Sequence, residues 1–591
     1  MHIKPHYQAD YDVIVLGFGA AGATAARFAA DHNKKVLLVD AAPFGHEGGN
    51  TRYAGQIVGY TTNKQQMMEY YQALTYPMNV PYSMTETYVS GFKDMIEYFK
   101  KYLCDPVTYN SIKKKYPFLS GMSPEYPELP GSNSYDVLMV HEAFFDAGLW
   151  KLLRQKVLER TENIDVWLNS RALHLIQDDN EKVIGVQIDR DHQKVEVHAR
   201  KGVVLATGGF ENNRAMVRNY LGTDHPLPLG SMYNKGDGIK MGLEAGARMW
   251  HMWNYEALGL QHGLVFAEPA GKRGKFVVYP LLEKGSLFTI ADDGTRYFRE
   301  DETNRHGHIY EHGEWRIPIR CVHPYIIFDH TKYKEIKKAG WPINDFKDRL
   351  VKAKSIKKLA KKIGVKPKIL RKTRKRFDKF AKSGCDFAYG RNPKTMRPFD
   401  DGPYYAIKMS NDVLNTQGGP ERDQYARVLN SNGEPIPHLY SAGELGGICA
   451  NQYQGGNNLA ECLIWGKIAG DRVSLNHDDI AEDVSNTLNG INDLIKGEEK
   501  NITLTKDQYL GESNSGIGGK LVVCVTYKDN KIKKVDIVEN HESEDFGKRA
   551  LKIIPHEIEK ENSTDVDAVS GASATSRAIK EAVKNAINKA K

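Results

Sequence analysis

Residues 11–56 read YDVIVLGFGAAGATAARFAADHNKKVLLVDAAPFGHEGGNTRYAGQ, and this stretch decides the fold class. Tyr11–Leu16 is a short Val- and Ile-rich run, the pattern of a strand buried on both faces. Gly17, Gly19 and Gly22 follow in G-x-G-x-x-G register, and the Ala-rich run 20–30 predicts a helix. A second buried strand, 35–39, ends in Asp40, 18 residues after Gly22. Gly17 permits the tight turn, Gly19 lets a pyrophosphate approach the backbone beside Ala21, and Gly22 lets helix pack on strand. The helix N-terminus offers unpaired N–H groups to phosphate, and Asp40 can accept hydrogen bonds from a ribose. Alone, G-x-G-x-x-G is a glycine turn. The complete strand–turn–helix–strand–acid order predicts a dinucleotide site, with FAD and NAD both open at this point.

At 591 residues the chain has room for several domains, and 41% apolar with 26% charged residues is a globular composition. A net charge of +8 on this length is no argument for nucleic acid. Six scattered cysteines form no C-x-x-C, so iron–sulfur clusters, c-type haem and a disulfide framework have no support, and no metal site is expected. The N-terminus lacks an apolar core and no 18-residue apolar run occurs, so the chain is expected to be cytoplasmic without an integral membrane segment; a removed signal peptide stays open.

Along the chain, helices are expected over 63–74, 85–103, 148–159 and 239–247, with a β meander over 173–198. Residues 201–210, KGVVLATGGF, form another buried strand ending in glycines. Residues 347–382 are strongly basic. An anion or nucleic-acid surface is one reading; two amphipathic helices with solvated basic faces is the better one, because the apolar positions fall at helical spacing. Residues 438–444, HLYSAGE, are a strand ending in a Gly–Glu turn, and Gly455-Gly456-Asn457-Asn458 opens a helix from Leu459. Residues 567–576, DAVSGASATS, precede a C-terminal helix, and S-G-A-S by itself is a good helix cap.

These motifs together resemble the FAD-dependent fumarate reductase, urocanate reductase and ketosteroid dehydrogenase flavoprotein family. Gly48-Gly49-Asn50-Thr51 is similar to the stretch that lies against the flavin in that family, which selects FAD. Ala206-Thr207-Gly208 matches the strand that returns to FAD, and Gly443, Glu444, Gly456, Asn457, Asn458 and Leu459 match its flavin-binding segments. Residues 505–591 resemble the FMN-binding domain whose D-x-x-S/T-G-A-S/T motif carries FMN by a phosphoester, here on Ser573. The resemblance implies an α/β protein: a Rossmann-like FAD domain (1–250 and 391–475) with an inserted α+β capping domain (251–390), a linker (476–504) and a small α+β FMN domain (505–591).

In the fumarate enzymes an arginine protonates one alkene carbon while FAD delivers hydride to the other. The match of residues 294–300, GTRYFRE, makes Arg305 the implied donor, one residue out of register; a surface pairing with Glu300 or Glu302 is the competing reading. The family's clamping histidine is replaced by Asn415 and its clamping arginine by Gln452, followed by Tyr453 and Gln454. Losing a bidentate cation disfavours a dicarboxylate and suits a neutral carbonyl. The pattern is closest to ene-reductases of the family such as cardiac glycoside reductase, with Tyr453 polarising the carbonyl and His262 a further substrate-binding candidate. The expected reaction is hydride transfer from FAD to the activated C=C bond of an enoate or enone, with electrons entering through FMN. The donor is an open choice between NADH-linked and quinol-linked reductases, and a flavin transferase is needed to attach FMN. Fumarate or urocanate reduction, a ketosteroid-type dehydrogenation, and an electron-transfer flavoprotein without a small substrate are the alternatives.

Overall fold

The computed structural model describes residues 6–112, 123–224, 226–311, 313–318, 323–475, 485–496 and 502–590. The strand Tyr7–Leu16 lies between Val36–Val39 and Gln193–Leu205, parallel to both, with Val15 opposite Leu38 and Val204. Ile164–Trp167 extends the sheet on one side and Pro435–Ser441 on the other, again in parallel. Val13, Val15, Val36, Leu38 and Val204 are buried, as a sheet covered on both faces requires. The meander is present as Ser170–Gln177, Val183–Arg190 and Gln193–Leu205, joined antiparallel.

Two helices cover one face, Ala20–Asp31 and Asn457–Ser474. They cross closely because Gly466 and Gly470 carry no side chain: a Cβ there would sit 2.8 Å from Ala21 O and 2.5 Å from Ala25 O. This contact brings the two helix N-termini to one end of the sheet, the C-terminal ends of its parallel strands.

The cap is built on Leu287–Ile290, Tyr325–Phe328 and Tyr404–Val413, antiparallel, with Leu264–Phe266 and Val351–Ala353 also paired to the last strand. Tyr404–Val413 was expected in the returning FAD segment; its pairing instead places it in the cap sheet, and it runs back to the FAD domain at Asn415. The basic stretch forms the helices Ile356–Lys362 and Pro367–Ser383, which bury Leu359, Leu370 and Phe377 and leave most of their lysines in solvent. Part of the expected linker lies outside the described residues. The part that is described is packed: Ser485 N and Leu488 N donate to Tyr7 O and Gln8 O, and Asp493 pairs with Arg190 at 2.9 Å.

The C-terminal unit is a three-stranded antiparallel sheet, Gln508–Gly516, Gly519–Lys528 and Lys531–Glu539. Its hairpin turns at Asp529 and Asn530, both at positive φ, the two-residue turn that matches strand twist. Phe546–Glu561 and Ser573–Ala590 pack on one face through Ile554, Ile558, Ile579 and Val583. Among the described residues no helix is long and apolar enough to cross a membrane.

Candidate active site

The first strand ends at Gly17, whose φ of +105° and closeness to Ala206 O, 2.2 Å from a Cβ built there, admit only glycine. A Cβ on Gly22 would meet Gly17 O at 1.7 Å. Gly19 is different: a Cβ there meets no protein atom closer than 3.7 Å. It faces a groove lined by Gly17, Gly19, Ala21, Asp40, Gly49, Asn50, Thr51, Ala206, Thr207, Gly208 and Glu444. Eleven expected cofactor residues therefore share one groove. Asp40 accepts from Phe18 N and Ala42 N, both at 2.7 Å, and burial pushes its carboxyl up to about 6.

Asn50 holds the middle of the groove. Its Oδ1 accepts from Ser231 N at 2.9 Å, and its Nδ2 donates to Glu211 Oε1 at 2.9 Å and Glu444 Oε2 at 3.1 Å. Burial, with mutual repulsion, raises the carboxyls of Glu211 and Glu444 together. Glu211 escaped the sequence reading, as did Ser231, Tyr233 and Asn234, because no local motif marks them. Gly22, Gly48 and Gly443 do not line the groove; they let its walls approach, Gly48 beside Trp150 and Gly443 beside Ala21.

At the N-terminus of Asn457–Ser474, Asn457 Oδ1 and Asn458 Nδ2 are buried without hydrogen-bond partners among the described residues, as is Gln417 Oε1. A helix N-terminus after a left-handed Gly456, with an unpaired acceptor and donor side by side, fits the pyrimidine edge of a flavin.

Beside Gly55 and Ile57, just beyond the groove loop, a cavity of about 290 Å³ opens under the cap. Phe144, Phe145, Leu258, Leu260, Phe276 and Val277 give it apolar walls; His262, Gln261, Thr303 and Asn304 give it polar points. Among the described residues its charged lining groups are Glu283, Glu300 and Glu302, and no described Lys or Arg lines it. His262 is buried and pushed down to about 4, so it is a neutral imidazole; its Nδ1 faces His308 O at 3.3 Å. Glu300 is neutralised inside the cap by Arg296 at 2.6 Å and Arg391 at 3.4 Å. The G-x-R-x-x-x-E match thus holds the cap together.

Tyr453 does not itself line this cavity; it lies in a polar cluster with His306, two residues past the lining Asn304. Its ring meets His306 edge-on at 4.6 Å, and His306 Nδ1 lies 2.8 Å from Glu125 Oε2. Burial raises the Tyr453 phenol well above its ordinary value, so it is a neutral donor. Glu256, opposite Asn415 in a strand pair, is buried with neither oxygen hydrogen-bonded among the described residues, His308 Nδ1 lies 3.7 Å from it, and burial pushes its carboxyl well above the usual range. Asn415 accepts from Gln417 Nε2 at 3.3 Å. Gln454 is committed to structure: its Oε1 accepts from Tyr70 OH at 2.7 Å and Glu125 N at 2.9 Å. Gln452 Oε1 is buried without a partner among the described residues.

Arg305 differs from expectation. Its guanidinium pairs with Glu128, not Glu300 or Glu302, and lies 4.7 Å over Tyr126 and 4.1 Å over Trp315. Arginine is too basic to release its proton unaided, wherever its guanidinium is held.

In the C-terminal unit Ser573 is exposed at the first position of its helix, next to Gly571 at φ +80°. Thr575 is buried and bonded to Glu542 at 2.5 Å, so of the two hydroxyls Ser573 is the accessible one.

The sequence matches the FAD binding domain family over residues 12–460 and the FMN-binding domain family over 516–588. It is 27% identical over 483 residues to the probable fumarate reductase Ifc3 of Shewanella frigidimarina, covering 78% of this chain and 74% of that one. With the NADH:acrylate oxidoreductase of Vibrio harveyi it shares 26% over 534 residues, 78% of this chain and 50% of the other. The 3-ketosteroid delta1-dehydrogenase from Sterolibacterium denitrificans superposes with a TM-score of 0.64 at 20% identity, covering 79% of this chain and 100% of that one, a likeness of fold.

Proposed function

This chain belongs to the FAD binding domain family and is a flavin-dependent oxidoreductase with FAD and FMN as cofactors; from that premise we propose that it reduces the activated C=C bond of a neutral or monoacid enone or enoate. The observation that carries this reading is the cavity beside the FAD loop: apolar walls, a neutral His262 and three glutamates, without a lining cation among the described residues. Two carboxylates placed there would be desolvated without a charged partner, a cost of several kcal/mol each. A neutral enone meets no such cost.

Reduced FAD supplies the hydride. The chain's own residues do the rest. Asn457 and Asn458 hold the flavin edge, Phe144, Phe145 and Leu260 exclude water, and Tyr453 donates a hydrogen bond to the carbonyl as negative charge builds on its oxygen. The proton for the neighbouring carbon comes from the Tyr453–His306–Glu125 cluster, since the Arg305 cation is occupied by Glu128. The FMN domain, as an electron inlet, favours reduction over dehydrogenation.

The test is product analysis. Dithionite-reduced enzyme given a cyclic enone in D2O yields the saturated ketone with solvent deuterium at both the α- and the β-carbon, because dithionite gives only electrons and the transferred hydrogen of the reduced flavin comes from solvent, and it restores oxidised flavin. Reduced enzyme that no enone or enoate reoxidises overturns the proposal.

A further inference from the structure

The loop that lines the FAD groove also touches the FMN-binding domain. Gly49, Asn50 and Thr51 line the groove, while Arg52 Nη2 donates to His541 O at 2.7 Å and Phe44 meets the His541 ring at 4.8 Å. Next to them the Tyr53 ring lies 4.0 Å beneath the guanidinium of Arg273, which is buried and bonded through Nε to Asp545 Oδ2 at 3.3 Å. Phe546, the next residue, lies 5.2 Å from Lys275 Nζ. On its far side Phe546 meets the attachment loop: a Cβ on Gly571 would lie 3.3 Å from its ring. Groove loop, Tyr53, Arg273, Phe546 and the Ser573 loop are thus consecutive contacts.

We propose that the Arg273–Asp545 ion pair, seated on Tyr53, is the latch that docks this chain's own FMN-binding domain onto the FAD loop, and that electrons cross between the flavins at this contact. The step moves two electrons from reduced FMN to oxidised FAD, with protons exchanged with solvent. The surface suits a releasable dock. Its other ties include the Arg52 and Phe44 contacts to His541, Lys151 to the carbonyls of Asn514 and Gly516 at 2.5 and 2.9 Å, Arg577 facing Asp146 at 3.8 Å, and Ile517 packed at the edge of the FAD-domain core. Interfaces between domains permit motion, and the desolvated cation–π and ion-pair site shifts the docked population. Lys272 Nζ, 3.9 Å from Asp545, adds charge of the same sign.

The proposal rests on FMN being the electron inlet, so the experiment reads docking and electron transfer separately. In Asp545→Lys holoenzyme, small-angle scattering shows a larger radius of gyration than wild type. Stopped-flow reoxidation of the fully reduced protein by an enone keeps its first phase, FAD, and slows its second, FMN, about tenfold. The exchanged pair Arg273→Asp with Asp545→Lys returns both toward wild type. An unchanged radius together with an unchanged second phase overturns the latch, as does a slower second phase that the exchange does not restore. Wild-type protein whose reduced flavins ignore the enone defeats the functional reading instead, and leaves the scattering result to judge the dock alone.

Discussion

Asp412 accepts from Leu258 N through one oxygen at 2.8 Å, its other oxygen is buried without a partner among the described residues, and burial pushes its carboxyl up to about 7. The folded protein therefore holds a proton that the unfolded chain, at about 4, has lost. Stability from this group is complete below about pH 4 and is lost as pH rises to about 7, on the order of 4 kcal/mol in all. Asp412→Asn keeps the acceptor for Leu258 and removes the titration. Its melting temperature is expected to fall less than that of wild type between pH 4 and 7; parallel curves would show that Asp412 is charged in the fold. At Tyr453 and Arg305 the expectation is kinetic. Tyr453→Phe lowers enone turnover about tenfold or more by removing a transition-state hydrogen bond, whereas Arg305→Ala stays within a few-fold. A collapse of turnover in Arg305→Ala with normal flavin reduction would return the proton to Arg305. Asn415, Gln452 and Tyr453 can be put forward from the sequence because a pattern names their positions. Glu211, Glu256 and Glu125 cannot, since burial and a partner distant in sequence define them.

Among the elements, the two helix N-termini were legible because glycine spacing fixes them. Gly17, Gly19 and Gly22 separate in role once the neighbours are known. Gly19→Val is expected to fold with an apo-protein melting temperature near wild type and to purify without FAD, because only the cofactor occupies that space. Gly22→Ala, 1.7 Å from Gly17 O, is expected to be insoluble. Yellow Gly19→Val protein would move the pyrophosphate elsewhere. The cap strand Tyr404–Val413 was missed because its partners, Tyr325–Phe328 and Leu264–Phe266, lie far away in sequence. The strand Gln508–Gly516 was missed for its Gly, Ser and Asn content; packing against the C-terminal helix overrides weak propensity there.

For the whole molecule, the order of FAD domain, cap and FMN domain could be read from motifs, while their contacts could not, because Tyr53, Arg273 and Asp545 belong to no motif. Ser573→Ala is expected to lose a mass equal to one FMN when the protein is made with a flavin transferase, and Thr575→Ser to keep it; the opposite pattern would shift the attachment two residues on. The central claim is that a cavity lined, among the described residues, by apolar groups and glutamates without a cation reduces a neutral C=C bond. It is tested most directly by mixing fully reduced enzyme with fumarate or with a cyclic enone at equal concentration and timing FAD reoxidation. The account predicts reoxidation by the enone at least about tenfold faster. Faster reoxidation by fumarate would contradict it.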